Sequence, residues 1–334
     1  MPRSLVLGAN GQDGSYLVEA LLRRGHEVVG VGREPSSRHS LQESRFSYLE
    51  LDLCDIPHLR DLLSSLRPDF AFHVAAVHGS SGFQYETLWT EMMAVNVSSV
   101  QAILEYARIS ARGLRVVFAG SSKIFPNPLS GRIDENTPAR GTCLYSIGKI
   151  ATRDLLAYYR KEHGIATTNL ILFNHESPRR SPDFLMPTLA RTLLKAQLDA
   201  GATTEVRSLD FWIDWSAADE LMDIAADIGE RSEAEELVLA SGRTWNGREA
   251  VSELFRWKGL DAARHVIPRT PAADPGPFFE VSLARLERTI GRTPKKTIFD
   301  IADDIMSSLT KNAISASDSE AVLDRLGRAA DVSS

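Results

Sequence analysis

The sequence predicts an α/β fold: a doubly wound parallel sheet followed by a smaller, discontinuous C-terminal lobe. Three observations carry this expectation. Short apolar, β-rich runs alternate with amphipathic helical patterns up to about residue 173, the pattern of βαβ units on a parallel sheet. Gly8, Gly11 and Gly14 fall between the first strand and the first helix. From Asn174 the rhythm breaks, with Pro178, Pro182 and Pro187 punctuating the chain before shorter elements follow.

Taken in order, "SLVLG" is the first strand and "SYLVEALLRRG" the first helix. "EVVGVG" and "FSYLELDL" are the second and third strands, "IPHLRDLLSSL" the next helix and "DFAFHVAA" the fourth strand. A long helix is expected from about Thr87 to Ser110, then a strand in "LRVVFAGSS", a helix from near Tyr145, and a sixth strand in "TTNLILFN". "EELVLASG" predicts one more strand, near 236–241, that returns to the main sheet. The expected division is a sheet domain over 1–173, a lobe over 174–310 and a polar tail over 311–334 with one short amphipathic segment.

Composition narrows the function. The 334 residues are 43% hydrophobic, enough for a sizeable core, and the net charge of −6 argues against nucleic acid as a partner. Two cysteines, Cys54 and Cys143, make neither a disulfide framework nor a zinc site, so no metal is expected. No apolar run reaches membrane length, and "MPRSLVLG" enters a strand at once, which leaves a cytoplasmic enzyme as the expectation.

The glycine loop "LGANGQDGSYL" sits where a tight turn brings backbone N–H groups and a helix N-terminus against a pyrophosphate, the dinucleotide site of a Rossmann sheet. Gly8, Asn10, Gly11, Gln12, Asp13 and Gly14 are its expected cofactor contacts. In "GVGREPSSR", Arg33 ends the second strand where an acid would meet the ribose of NAD. Arg33, helped by Arg38, favours NADP over NAD, although Glu34 follows directly. Asp52 is placed to meet the adenine or to cap the next helix, and both readings stand. Leu53 and Ala75, at the ends of the third and fourth strands, complete the expected cofactor set.

"CLYSIGK" supplies Tyr145 and Lys149 at i,i+4 spacing on one helix face. A neighbouring ammonium is expected to lower the tyrosine pKa and make it an acid/base, and the lysine reaches toward the cofactor ribose. Ser121 or Ser122, at the end of "VVFAGSS", would hold the substrate oxygen that exchanges a proton as hydride moves.

With these motifs the chain resembles the extended short-chain dehydrogenase/reductases over roughly residues 4–310. Within them it is similar to the nucleotide-sugar branch near the GDP-mannose 4,6-dehydratases, through "GQDGSYL" at 11–17, "LFNHESPRR" at 172–180 and "LDFWIDWSAADE" at 209–220. The resemblance implies a nucleoside-diphosphate sugar, GDP-linked by preference, bound between the lobes near Asn174, Glu176 and Arg179. It also implies a homodimer or homotetramer, built by pairing the helices near 87–110 and 145–162.

Two departures bear on the reaction. Ser121 takes the place of the family's threonine, and Lys123 that of the glutamate that handles the C5 and C6 chemistry. An ammonium gives a proton but has no lone pair to take one. "GSSKIFP" also resembles the strand end of the GDP-fucose synthases, where the position of Lys123 carries an acid/base cysteine. Ile213 replaces an arginine that helps bind the sugar nucleotide, with Arg207 or Arg269 as the expected substitutes. The expected function is therefore an NAD(P)-dependent nucleotide-sugar enzyme with C4 redox chemistry, a 4-ketoreductase or 4-epimerase. A 4,6-dehydratase with altered acid/base groups, or a nucleotide-binding protein without turnover, are the alternatives.

Overall fold

The computed structural model describes residues 1–39, 43–79, 83–231 and 235–314. The chain runs β1 (Arg3–Leu7), α1 (Gln12–Arg23), β2 (Glu27–Gly32), β3 (Phe46–Glu50), α2 (Ile56–Leu66) and β4 (Phe70–His73). Next come α3 (Trp89–Met93), α4 (Ser99–Ser110), β5 (Arg115–Ala119), β6 (Gly131–Ile133), α5 (Leu144–His163), β7 (Thr167–Leu172) and β8 (Asn174–Glu176). The remainder is α6 (Leu185–Leu198), β9 (Thr204–Val206), β10 (Trp212–Ala217), α7 (Ala218–Glu230), β11 (Glu236–Leu239), β12 (Thr244–Asn246), α8 (Gly247–Trp257), β13 (Val266–Pro268), β14 (Phe279–Val281), α9 (Ala284–Ile290) and α10 (Ile298–Ile314).

Seven strands form one sheet in the order β11-β7-β5-β4-β1-β2-β3, and every pairing in it is parallel. The order reverses at β1, where β2 and β4 flank it, and that switch point opens a crevice at the carboxyl ends of the strands. Successive strand residues face opposite sides. Val6 packs with α1 and α7, whereas Leu5 and Leu7 pack with α2 and α4 on the other face. Both faces are covered, as a parallel sheet requires.

The long helix expected over 87–110 is not regular. A π-helical turn, Ala94–Ser98, separates α3 from α4. Within it Asn96 is fully buried, its side-chain amide without a hydrogen-bond partner among the described residues, while its backbone carbonyl accepts from the Thr152 hydroxyl of α5 at 2.6 Å.

The lobe is built from the sheet β12-β10-β8, the ladder β13-β9 and the helices α6, α8 and α10, around Trp215, Leu189 and Phe255. Its interruption is longer than one strand. Helix α7 leaves the lobe and joins α1 on the main sheet before β11 pairs with β7 at the sheet edge. Helix α10 runs four residues into the segment read as tail, and the amphipathic stretch beyond it lies outside the described residues. Among the described residues, no helix is long and apolar enough to cross a membrane, and no group of three or more His, Cys, Asp or Glu side chains could hold a metal.

Candidate active site

The strand ends converge on one cleft of about 700 Å³, lined at the sheet edge by residues following β1, β2, β4, β5 and β7. The glycine loop forms its floor. Gly8 has φ +93°, and a Cβ there would lie 2.7 Å from the Ala75 nitrogen. A Cβ on Gly14 would lie 2.0 Å from the Gly8 carbonyl oxygen. Neither position admits a side chain, so loop, helix and strand approach closely enough to cradle a pyrophosphate at the α1 N-terminus. Gly11 precedes α1 with an ordinary φ of −72°.

Of the expected cofactor contacts, Gly8, Asn10, Gly11, Gln12, Asp13, Arg33, Asp52, Leu53, Ala75, Tyr145 and Lys149 line the cleft, while Gly14 sits beneath it. Asn10 donates to Glu34 and to the Ser36 carbonyl and accepts from the Arg38 amide. Its bond to Glu34 is the main reason that carboxyl is held below its ordinary pKa. Arg33 pairs with Glu91 at 2.8 Å and Arg38 with Glu34 at 2.7 Å, both arginines being about two-thirds exposed. Asp52 accepts from the Cys54 amide, and the cap of α2 is Asp55 instead. The capping role considered for Asp52 is thus taken by its neighbour.

At the reacting end, Tyr145 lies in the first turn of α5, and Ser121, two residues past β5, sits close enough to its hydroxyl to favour the phenolate. Lys149 is 1% exposed and donates to the Ala119 carbonyl at 2.6 Å. Its ammonium lies 4.3 Å from the Phe118 ring centroid and 5.5 Å from that of Tyr145. Burial pushes the Lys149 pKa down to about 7, with the Asp13 charge acting in the opposite direction. The Tyr145 hydroxyl moves against expectation. Burial raises its pKa well above the ordinary value, outweighing the opposite effect of the nearby Ser121 hydroxyl. Lys149 donates to the Ala119 carbonyl and makes no hydrogen bond to the tyrosine hydroxyl. Tyr145 is therefore a phenol at neutral pH, a proton donor. Ser122 and Lys123 line the same wall, and Lys123 is exposed.

The substrate-side expectations divide. Asn174 and Arg179 line the cleft. Glu176 does not; it is 3% exposed behind the wall, 3.6 Å from Arg180, and burial raises its pKa to about 7. Arg207 and Arg269 are also outside the cleft lining, on the β13-β9 ladder, where Arg269 pairs with Glu205 at 2.8 Å. Ile213 is paired with Trp245 in the lobe sheet and packs on the lobe core, so an apolar residue there serves packing. Sequence reasoning passed over Arg180 and His78, which both line the cleft. Arg180 was visible beside Arg179 in the quoted motif, and His78 in the loop after the fourth strand.

His175 is committed. Its Nε2 lies 2.9 Å from the Asp13 carboxylate and its Nδ1 2.7 Å from the Phe173 carbonyl. Burial opposes charge on either partner, but their mutual attraction prevails: Asp13 is held down to about 2 and His175 is raised.

The GDP-mannose 4,6 dehydratase family model matches residues 5–267. The chain belongs to that family. A GDP-mannose 4,6-dehydratase, sdnI, of Sordaria araneosa is 31% identical over 264 residues, covering 76% of this chain and 48% of that protein. GDP-mannose 4,6 dehydratase 1 of Arabidopsis thaliana is 28% identical over 280 residues, covering 79% and 76%. The match thus spans about half of the fungal protein and three quarters of the plant one. Among solved structures, dTDP-glucose 4,6-dehydratase of Bacillus anthracis in complex with NAD superposes with a TM-score of 0.78 at 15% identity, covering 93% and 97% of the two chains. UDP-glucose 4-epimerase of Thermotoga maritima with UDP-glucose gives 0.78 at 18%, covering 93% and 99%. These likenesses establish the extended short-chain dehydrogenase/reductase fold.

Proposed function

We propose that the chain is an NAD(P)-dependent enzyme of nucleoside-diphosphate sugars whose chemistry centres on C4 of the sugar. The observation that supports it most directly is the convergence of Ser121, Tyr145 and Lys149 at one end of a cleft whose other end is a glycine cradle. A bound nicotinamide would accept hydride from C4 or return it there. Ser121 and Tyr145 would hold the C4 oxygen, and the phenol state of Tyr145 suits protonation of a 4-ketone, the reductive direction. Gly8, Gly11 and Gly14 would seat the pyrophosphate. Arg33 and Arg38, both exposed at the adenosine end, would meet a 2′-phosphate by exchanging Glu91 and Glu34 for it, which supports NADP over NAD. Family membership supports a GDP-linked sugar, with Arg180 facing its diphosphate. The fold supports a homodimer through α4 and α5, or a homotetramer.

The test is direct. Calorimetric titration should show NADPH binding tighter than NADH, and purified protein should consume NADPH when given a GDP-4-keto-6-deoxyhexose. No consumption, and no hydride exchange at C4 of any GDP-sugar, would refute the C4 reading. A second reading, full 4,6-elimination, is supported by the family match and opposed by Lys123.

A further inference from the structure

Chemistry at the carbon next to C4 needs a proton acceptor, and Lys123 supplies none. The other basic groups of the cleft are committed elsewhere, Lys149 to the Ala119 carbonyl at 2.6 Å. Both ring nitrogens of His175 are bonded, Asp13 is its ion-pair partner, and Glu176 lies behind the wall. Glu34 and Asp52 follow β2 and β3, at the adenosine end.

His78 remains. Its ring stacks on Tyr145 with centroids 4.4 Å apart and 26° between the planes. Its Nδ1 lies 2.6 Å from the Tyr85 hydroxyl, and Tyr85 in turn stacks 5.8 Å from Tyr145. The imidazole is held on two sides, lines the cleft, and its Nε2 has no hydrogen-bond partner among the described residues.

We infer that His78 is the proton acceptor for the carbon adjacent to C4, the role that Lys123 cannot fill. The inference rests on the C4 reading, because that C–H bond is acidic only beside a carbonyl. With C4 as a ketone, the C5–H bond breaks and its electron pair forms a C4=C5 double bond. The carbonyl oxygen becomes an enolate, and the proton goes to Nε2. The tautomer required has Nδ1–H donating to Tyr85, which that hydroxyl oxygen can accept.

Burial, then the charges of Arg180, Lys149, Lys123 and His175, push the His78 pKa down to about 3. The ring is thus held in the neutral form that carries the lone pair the step needs, as a weaker base than a free imidazole. The cations that weaken it as a base also lie where they stabilise the enolate.

The experiment separates this step from hydride transfer. GDP-4-keto-6-deoxymannose and dTDP-4-keto-6-deoxyglucose are each incubated in deuterium oxide with the full-length protein and no nicotinamide, and deuterium entry at C5 is followed by NMR against a protein-free blank. Wild-type protein should exchange at least one of them. His78→Ala should slow exchange by at least ~100-fold, the lower end for removal of a general base, while still binding NADPH. Added imidazoles should restore exchange to His78→Ala at rates that rise with their basicity. Tyr85→Phe, which keeps the ring but frees Nδ1, should fall between. No exchange of either sugar by wild type, full exchange by His78→Ala, or no rescue by imidazole would each overturn the assignment. NADPH consumption by wild-type protein with the same ketones reports on the C4 reading separately.

Discussion

Replacing Lys149 with methionine should stabilise the protein while abolishing its activity, and the gain should depend on pH in a defined sense. Lys149 is 1% exposed and its pKa is about 7 in the folded chain against 10.5 ordinarily. Between those values the unfolded chain holds a proton that the folded chain does not, so wild-type stability rises with pH across that window. Below pH 7 the full cost of the buried charge is present, about 5 kcal/mol at ~1.4 kcal/mol per pH unit. Methionine fills similar volume without that cost, but it loses the bond to the Ala119 carbonyl, worth about 1–3 kcal/mol if the oxygen is left unpaired. The net gain is about 2–4 kcal/mol at pH 6 and close to zero at pH 9, where about 2 kcal/mol of the charge cost remains. For 334 residues the unfolding entropy is roughly 0.7 kcal/mol/K, so Tm should rise by about 3–6 °C at pH 6. Scanning calorimetry of both proteins at pH 6 and pH 9 measures this. A lower Tm for the variant at pH 6, or a gain equal at both pH values, would refute the reasoning.

Three further outcomes are expected. Asp13→Asn leaves His175 without its counter-charge and should cost about 3–5 kcal/mol, seen as a Tm drop. The loss should be largest between pH 3.8 and 6.5, because the depressed Asp13 forfeits the pair as pH falls toward 2 and the raised His175 forfeits it as pH climbs through its folded pKa. Tyr145→Phe removes the proton donor but no cofactor contact of the glycine loop, so kcat should fall by about 10²–10⁴-fold with NADPH affinity kept within a few-fold by calorimetry. Gly14→Ala drives a Cβ to 2.0 Å from the Gly8 carbonyl, so NADPH binding should weaken by more than ~10-fold, and an unchanged Kd would show that the loop is not the cradle.

The sheet was legible because its signals are local. Strands β1, β2, β4, β5 and β7 each carry an apolar run, and the helices between them carry periodic apolar residues that need no knowledge of partners. Strands β6, β8, β9, β12, β13 and β14 are three residues each, too short for any period, and each pairs with a segment distant in sequence. The affiliation of α7 was hidden for a different reason. An amphipathic helix announces that it has a buried face but not which sheet receives it. In the site, the Tyr145–Lys149 spacing fixed which residues meet, but the direction of the Tyr145 pKa depends on burial, which spacing does not report. Arg207 and Arg269, just past the ends of β9 and β13, are outside the cleft lining, which a linear match does not show.

Two of the three strings that carried the family resemblance, those at 11–17 and 172–180, are in three dimensions one contact. Gln12 donates to the His175 carbonyl and accepts from the Ser177 hydroxyl at 2.8 Å; Asp13 holds His175; Arg179 donates to Ser15 at 3.0 Å, pairs with Glu19 and lies 4.0 Å over the Tyr16 ring. The helix that would receive the pyrophosphate is thus bolted to the segment that begins the substrate lobe. Arg179, expected to meet sugar nucleotide, is already spent on that bolt, whereas Arg180 reaches the cleft wall beside Phe184, its Nε 3.6 Å from Glu176. A motif shared by a family therefore mixes two kinds of residue. Gln12, Asp13, His175 and Ser177 secure the geometry between the cofactor and substrate halves, and they can stay the same while the reaction changes. The residues free to change it, Lys123 and His78, lie outside both strings, on the loops that follow β5 and β4.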